Sequence, residues 1–497
     1  MDYLNSLVSQ FRSHANEQIE KKTGLPSESL NSTQVKKVKE GQEKGEGWIQ
    51  VYGDKEEPII EVSPEEMKAF DRGRAVDSTW ASIKSILFGF TDVCAVSMSP
   101  NHSLSAISPT DQELATWIDT TSMSNFKVPI GKTNAWTLHL APYQLMQTLT
   151  PDMKCFGTTV ICTGQGSNTM FQNMIILYSE KTQKEDQLII RQVRVTPQDP
   201  CWSTAKLMLM HNLNHQMVLH THPVTHVLVA STFYLLRQAI PDSEHPMRRL
   251  LDPHSKYTDA ITAKVLDDQY SILLDHVSIF SPFDISMKTT HSFHLQPAHK
   301  EAVMNVQRTF DTSTTYGRMM NEAQGIIEAW VSRAMTEIES KEGQKTGLSL
   351  DPGMQQWWKS LRKHFGSKHL YPYKTRTLTP TLALQLVSTL VFMASIEHSV
   401  EHALYAQIPS DTKPWRWRGP LPQSPQDSCE PDLTQYDTFQ QEAANHMFFK
   451  SMPSTQLQHV KYKGIIMNNE WLSIQLHELY RKYQLVHPRL LSCSIDW

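Results

Sequence analysis

The sequence predicts a mainly α-helical domain with a few short peripheral strands, and three observations carry that prediction. From Thr204 onward apolar residues recur at helical spacing. Runs of β-like composition are confined to the stretch between Trp48 and about Pro200. The longest apolar run, Leu382 to Ile396, is about 15 residues, shorter than a membrane-spanning helix and longer than an ordinary strand, so it reads as a buried core helix.

Composition sets the class. At 497 residues and 39% hydrophobic content the chain can bury a large core. Its 47 basic and 51 acidic residues leave a formal charge of −4, so no global field draws it to nucleic acid or to an anionic membrane. The opening MDYLNSLVSQFRSHANEQIEKK lacks the basic start and unbroken apolar stretch of a signal peptide. Six scattered cysteines, with no CxxC pair, fit reduced thiols. The predicted compartment is the cytoplasm.

In chain order, residues 1–45 form a polar N-terminal arm, because the charged, glycine-containing run from Lys36 to Gly47 cannot bury enough surface to order itself. Residues 46–497 are read as one domain. Strands are expected at Trp48–Gly53, Cys155–Gly164, Asn173–Ser179 and Gln187–Val195, where β-branched residues alternate between turn signals. Six prolines between Pro409 and Pro431 exclude a helix interior and predict an extended surface connection. A last helix is expected from about Glu470 to Tyr483.

Histidines are the unusual feature. Of 22, seven fall between His211 and His254. His222 and His226 are four residues apart, as are His398 and His402, and that spacing places two side chains on one helix face with Cβ atoms about 6 Å apart. A single histidine on an apolar face is usually structural; two such pairs in apolar surroundings point to a metal held between two helices at ~2.1 Å bonds. Glu397 and Glu401 mark part of the second helix face as polar.

Several motifs, in order, resemble the lipoxygenase family. Trp202-Ser-Thr-Ala205-Lys206 is similar to the W-x-x-A-K that opens that family's metal-bearing helix. The histidine-rich run to His226 comes next, then Arg237 to Pro241, and then His245-Pro-Met-Arg-Arg-Leu-Leu-Asp-Pro-His254, which resembles H-P-x-x-x-L-L-x-P-H. Ser395 to His402 resembles the second metal helix, and Arg418-Gly-Pro-Leu-Pro422 the proline-rich segment after it. The resemblance covers the chain from about residue 200 to its end and is weak before that.

The resemblance implies a helical lipoxygenase-like catalytic domain without the N-terminal β-sandwich domain, holding one non-haem Fe or Mn ion. The implied ligands are His222, His226, His398, His402 and the C-terminal carboxylate of Trp497, with a metal-bound water as the catalytic group. The implied partners are O2 and a polyunsaturated fatty acid or related polyene. His220 is the alternative first ligand, and Asp496 an alternative oxygen donor.

This chain departs from the family in three places. Three residues separate His222 from His226, a spacing closer to fungal members than to plant and animal ones. Pro223 stands between the pair, and the tail carries Cys493 and Trp497 where relatives have asparagine and isoleucine or valine. Two other functions stay open on the residues: a non-oxygenating isomerisation or cyclisation of secondary metabolism, and a metal-free binding protein.

Overall fold

The computed structural model describes residues 49–52, 58–62, 65, 68, 108–140, 156–181, 188–216, 221–255, 258–259, 304–342, 347–372, 374–401, 417, 420–428, 461–462, 465–466 and 469–486. The predicted arm, residues 1–45, lies outside them.

The strand-rich part begins with β1 (Ile49–Tyr52) and β2 (Pro58–Val62), paired antiparallel. Helix α1 (Asp111–Thr120) starts at a reciprocal cap: Glu113 N donates to Thr110 Oγ1 at 3.2 Å, and Thr110 N donates to Glu113 Oε2 at 2.7 Å. Strands β3 (Lys127–Pro129), β4 (Ala135–Leu140), β5 (Gly157–Thr163), β6 (Met170–Lys181) and β7 (Leu188–Val195) form one antiparallel sheet in sequence order. The expected strand runs all fall on strands. The sheet is more extensive than short isolated pieces, since β6 alone has 12 residues.

Alternation decides which face of the sheet is covered. Leu138, Val160, Met174 and Val195 lie opposite one another across four strands, and all four are fully buried. Helix α2 (Trp202–Gln216) packs on β4 and β5, and Asn212 Nδ2 donates to Thr158 Oγ1 at 3.1 Å. Its first turn is anchored to α1 by Trp202 Nε1, which donates to Asp111 Oδ1 at 2.8 Å, while Lys206 Nζ lies 3.2 Å from the same oxygen. The W-x-x-A-K motif thus ties helix to helix.

The described part of the proline-rich connection has no helix or strand, as expected, and it is not wholly superficial. Trp417 is fully buried beside Phe156, with ring centroids 5.3 Å apart. Two carbonyls downstream hold the segment down: Tyr178 Oη donates to Pro422 O at 3.0 Å, and Cys201 N to Pro425 O at 3.2 Å.

The helical part comprises α3 (His222–Ala239), α4 (Pro246–Leu251), α5 (Thr315–Glu342), α6 (Pro352–His369), α7 (Pro380–Phe392) and α8 (Asn469–Tyr483). Helix α5 packs on α7 and α8, and α6 packs on α3. Trp330, Trp357 and Trp358 are fully buried among them. The two indoles on α6 keep their hydrogen bonds, Trp357 Nε1 to Thr232 O at 3.0 Å and Trp358 Nε1 to Thr375 O at 2.9 Å, which offsets the cost of burying an N–H.

Helix α7 is started by Thr379, whose Oγ1 accepts from Leu382 N at 3.3 Å, with Pro380 in the first turn. The helical run continues beyond the apolar stretch to Glu401, 22 residues in all, and 78% of its most apolar window is buried inside the protein. It is long and apolar enough to cross a bilayer by composition, but here protein surrounds it, as the core-helix reading expects.

The H-P-x-x-x-L-L-x-P-H residues close the end of α3. His245 caps α4 by accepting from Met247 N at 3.2 Å. Arg248 donates to Ile240 O at 2.6 Å and to both Asp252 oxygens at 2.9 and 2.8 Å, while Arg237 bonds Ser255 Oγ at 3.0 Å and pairs with Asp259. These residues build a clasp rather than a reacting group.

Candidate metal centre

Two helices meet at three histidines. His222 and His226 stand one turn apart on α3, and His398 comes after α7; all three are buried. His226 Nε2 lies 3.0 Å from His222 Nε2 and 3.2 Å from His398 Nε2. The rings of His222 and His398 are stacked at 29°, and His226 stands edge-on to both at 74° and 85°.

This donor set fits an ion. A metal bonded at ~2.1 Å to nitrogens ~90–100° apart places neighbouring donors ~3.0–3.2 Å from each other, whereas a regular tetrahedron spreads them to ~3.4 Å. The two separations, 3.0 and 3.2 Å, fall in the first range. Protons alone serve the cluster poorly. Neutral His226 has one in-plane site at Nε2, a proton or a lone pair, yet two nitrogens approach it. A single cation satisfies all three.

Local backbone explains how each ring arrives. Pro223 falls in the first turn of α3, directly after Thr221 and His222, and Thr221 has helical dihedrals and belongs to a π turn. The other partner also departs from a regular helix. Met393–Glu397 form a π turn, and the His398 N–H bonds Met393 O, five residues back. Ser395 Oγ donates to Val391 O at 2.5 Å within this widened turn. The extra residue rotates the next turn of the helix about its axis, which brings His398 toward α3.

Two buried carboxylates flank His398. Glu397 and Glu401 suggest a polar helix face in the sequence; the structure instead buries both, at 5% and 4% exposure. Glu397 is gripped by both terminal nitrogens of Arg308. Glu401 Oε2 lies 3.1 Å from His222 Nδ1, and Thr225 Oγ1 lies 3.4 Å from Glu401 Oε1. Burial pushes Glu397 up to about 7 and Glu401 up to about 8, with Arg308 opposing in each case. Burial also pushes His222 down to about 4, so its ring is neutral and has a lone pair to give at neutral pH. Tyr316 is raised as well, by burial first and then by the two glutamates.

Of the clustered histidines whose side chains the structure describes, His222 and His226 reach the centre. His211 is buried in a separate aromatic group, 5.0 Å from Phe156 and 6.4 Å from Trp417. His245 caps α4, and His254 is buried 6.4 Å from Trp330. His220, His402, Asp496 and Trp497 lie outside the described residues, as does the His215 side chain. Sequence reasoning missed Arg308 as a partner of the site; nothing in its local sequence marks it, because it meets Glu397 across 89 residues.

No family model matches the sequence, and no curated protein matches it. Solved structures do match. A 9R-lipoxygenase from Cyanothece PCC8801 aligns with a TM-score of 0.56 at 10% identity, over 87% of this chain and 71% of that one. The manganese lipoxygenase of Gaeumannomyces graminis aligns at 0.57 and 9% identity, over 94% and 99%. A coral 8R-lipoxygenase aligns at 0.53 and 14% identity, over 93% and 81%. Identity this low speaks to architecture alone, and in its architecture the chain is a divergent lipoxygenase fold.

Proposed function

We propose that this protein is a non-haem metal dioxygenase that removes hydrogen from, and adds O2 to, a polyunsaturated fatty acid or related polyene. The observation that carries the reading is the convergence of three buried Nε2 atoms at spacings suited to one ion. His222, His226 and His398 would hold Fe or Mn, with His402 and the Trp497 carboxylate as the remaining proposed donors. When bound, such an ion supplies one-electron oxidation at the doubly allylic carbon.

The chain's own contribution is binding, orientation and exclusion of water. The three rings are buried, and the run that leads from α7 to His398 buries Val391, Phe392 and Ile396 as well. The likeness to 9R-, 8R- and manganese lipoxygenases supports a polyene and O2 as the reactants.

Two measurements on the purified protein test the proposal. Metal analysis is expected to give close to one Fe or Mn per chain, and oxygen uptake is expected with linoleate or another polyene. A folded protein that takes up no metal overturns the enzyme reading and favours a binding protein. A metal-loaded protein that consumes no oxygen with any polyene overturns the dioxygenase and favours an isomerising or cyclising enzyme.

A further inference from the structure

We propose that Glu401 is a positioning residue that fixes the tautomer and orientation of His222 for metal binding, an inference that rests on the three-histidine centre proposed above. The contact is Glu401 Oε2 to His222 Nδ1 at 3.1 Å, between side chains that are 4% and 8% exposed. It joins residues 179 apart in sequence.

An imidazole has two nitrogens on opposite flanks of its ring, and a neutral one carries its proton on either. The Nε2–H form of His222 cannot ligate, because its lone pair then faces away from His226 and His398. The Glu401 carboxyl supports the other form: ionised or protonated, it offers an oxygen that accepts the Nδ1–H and leaves the Nε2 lone pair facing the cluster. Glu401 therefore serves the centre from behind the ring and is not itself a ligand, since its oxygen meets the nitrogen on the flank away from the other two Nε2 atoms.

The placement comes from helix geometry. Glu401 stands three residues after His398, so the two share one side of the helix. One helix thus presents a ligand of its own and clamps the first ligand of the other. Thr225, next to His226, reaches the second oxygen of the same carboxylate at 3.4 Å, which ties the clamp to α3 at two points. Glu397, the other buried carboxylate, is not available for this task because Arg308 occupies both its oxygens.

The test is the affinity of the full chain for Mn2+ alone, measured by chelator competition well below the thermal midpoint of each metal-free variant. Glu401→Ala is expected to weaken binding about 10- to 100-fold, and Glu401→Gln, which keeps an acceptor oxygen without the charge, by about 3- to 10-fold. The low-temperature EPR line shape of bound Mn2+ should change in both. Should the alanine variant fail to fold, the near-isosteric glutamine variant carries the test. An affinity within twofold of wild type in Glu401→Gln, with an unchanged line shape, overturns the inference even if the thermal midpoint has fallen, because a merely structural carboxylate moves the midpoint alone. A wild-type chain that binds neither Mn2+ nor Fe2+ overturns the centre and this inference with it; a wild type that binds beside variants that bind equally well overturns this inference alone.

Discussion

Nε2 of His226 and Nε2 of His398 stand 3.2 Å apart although 172 residues separate them in the chain. The approach is made by the π turn at Met393–Glu397 on one side and the first turn of α3 on the other. His226→Ala and His398→Ala are therefore expected to abolish metal retention, whereas His139→Ala, at an exposed ring on β4, is expected to leave it intact. Added Mn2+ should raise the melting temperature of the wild type by ligand linkage and leave that of the two centre variants unmoved. Equal retention in all three variants would remove the centre from these residues.

The pair between Arg308 and Glu397 predicts a stability effect. Glu397 is 6% exposed and Arg308 25% in their side chains, so removing the guanidinium leaves a buried carboxyl without its hydrogen-bonding partner. Arg308→Met is expected to cost about 3 kcal/mol, and the double variant with Glu397→Leu to recover most of it, because an apolar pair needs no counter-charge. Urea unfolding of the single and double variants checks this; a double variant weaker than Arg308→Met contradicts it.

Acid should weaken the fold through His254. Burial holds its folded-state value down at about 4, below the ordinary ~6.5, so the unfolded chain takes up the proton first as pH falls. The stability tied to this group is complete above pH ~6.5 and is lost as pH drops toward 4, about 3 kcal/mol in all. His254→Gln should flatten the dependence of unfolding free energy on pH in that window. An unchanged slope would mean that the ring takes up its proton equally in the folded and unfolded chain.

Two glycines in α5 should respond oppositely to alanine. A Cβ on Gly317 would sit 1.9 Å from Asp311 O, in the turn where Gly317 N donates to Thr314 Oγ1 at 2.9 Å, while a Cβ on Gly325 meets nothing within 4 Å. Gly317→Ala is expected to cost about 2–4 kcal/mol and Gly325→Ala to add about 0.5–1 kcal/mol by lowering the entropy of the unfolded chain. Thermal melts that shift in the same direction for both would contradict the local geometry.

What the sequence determined by itself is the part written in periodicity and spacing. Alternating residues at Gly157–Thr163 and Leu188–Val195 become strands, the apolar run at Leu382–Ile396 becomes a buried helix, and the four-residue step from His222 to His226 puts two rings on one face. Such patterns are local, because each strand or helix turn repeats its side-chain directions within a few residues.

Tertiary structure decided the rest. Glu397 and Glu401 look like a solvated face when read along the helix, yet they are buried because α3 and Arg308 close over them from 176 and 89 residues away. The bond that shifts at the π turn is equally invisible in a string of residues, since a helix widens when its packing partners demand it. The sequence determined which residues could donate to a metal; the meeting of two helices decided which of them stand close enough to share one, because donors to one ion lie within about 3 Å and only packing brings distant residues so near.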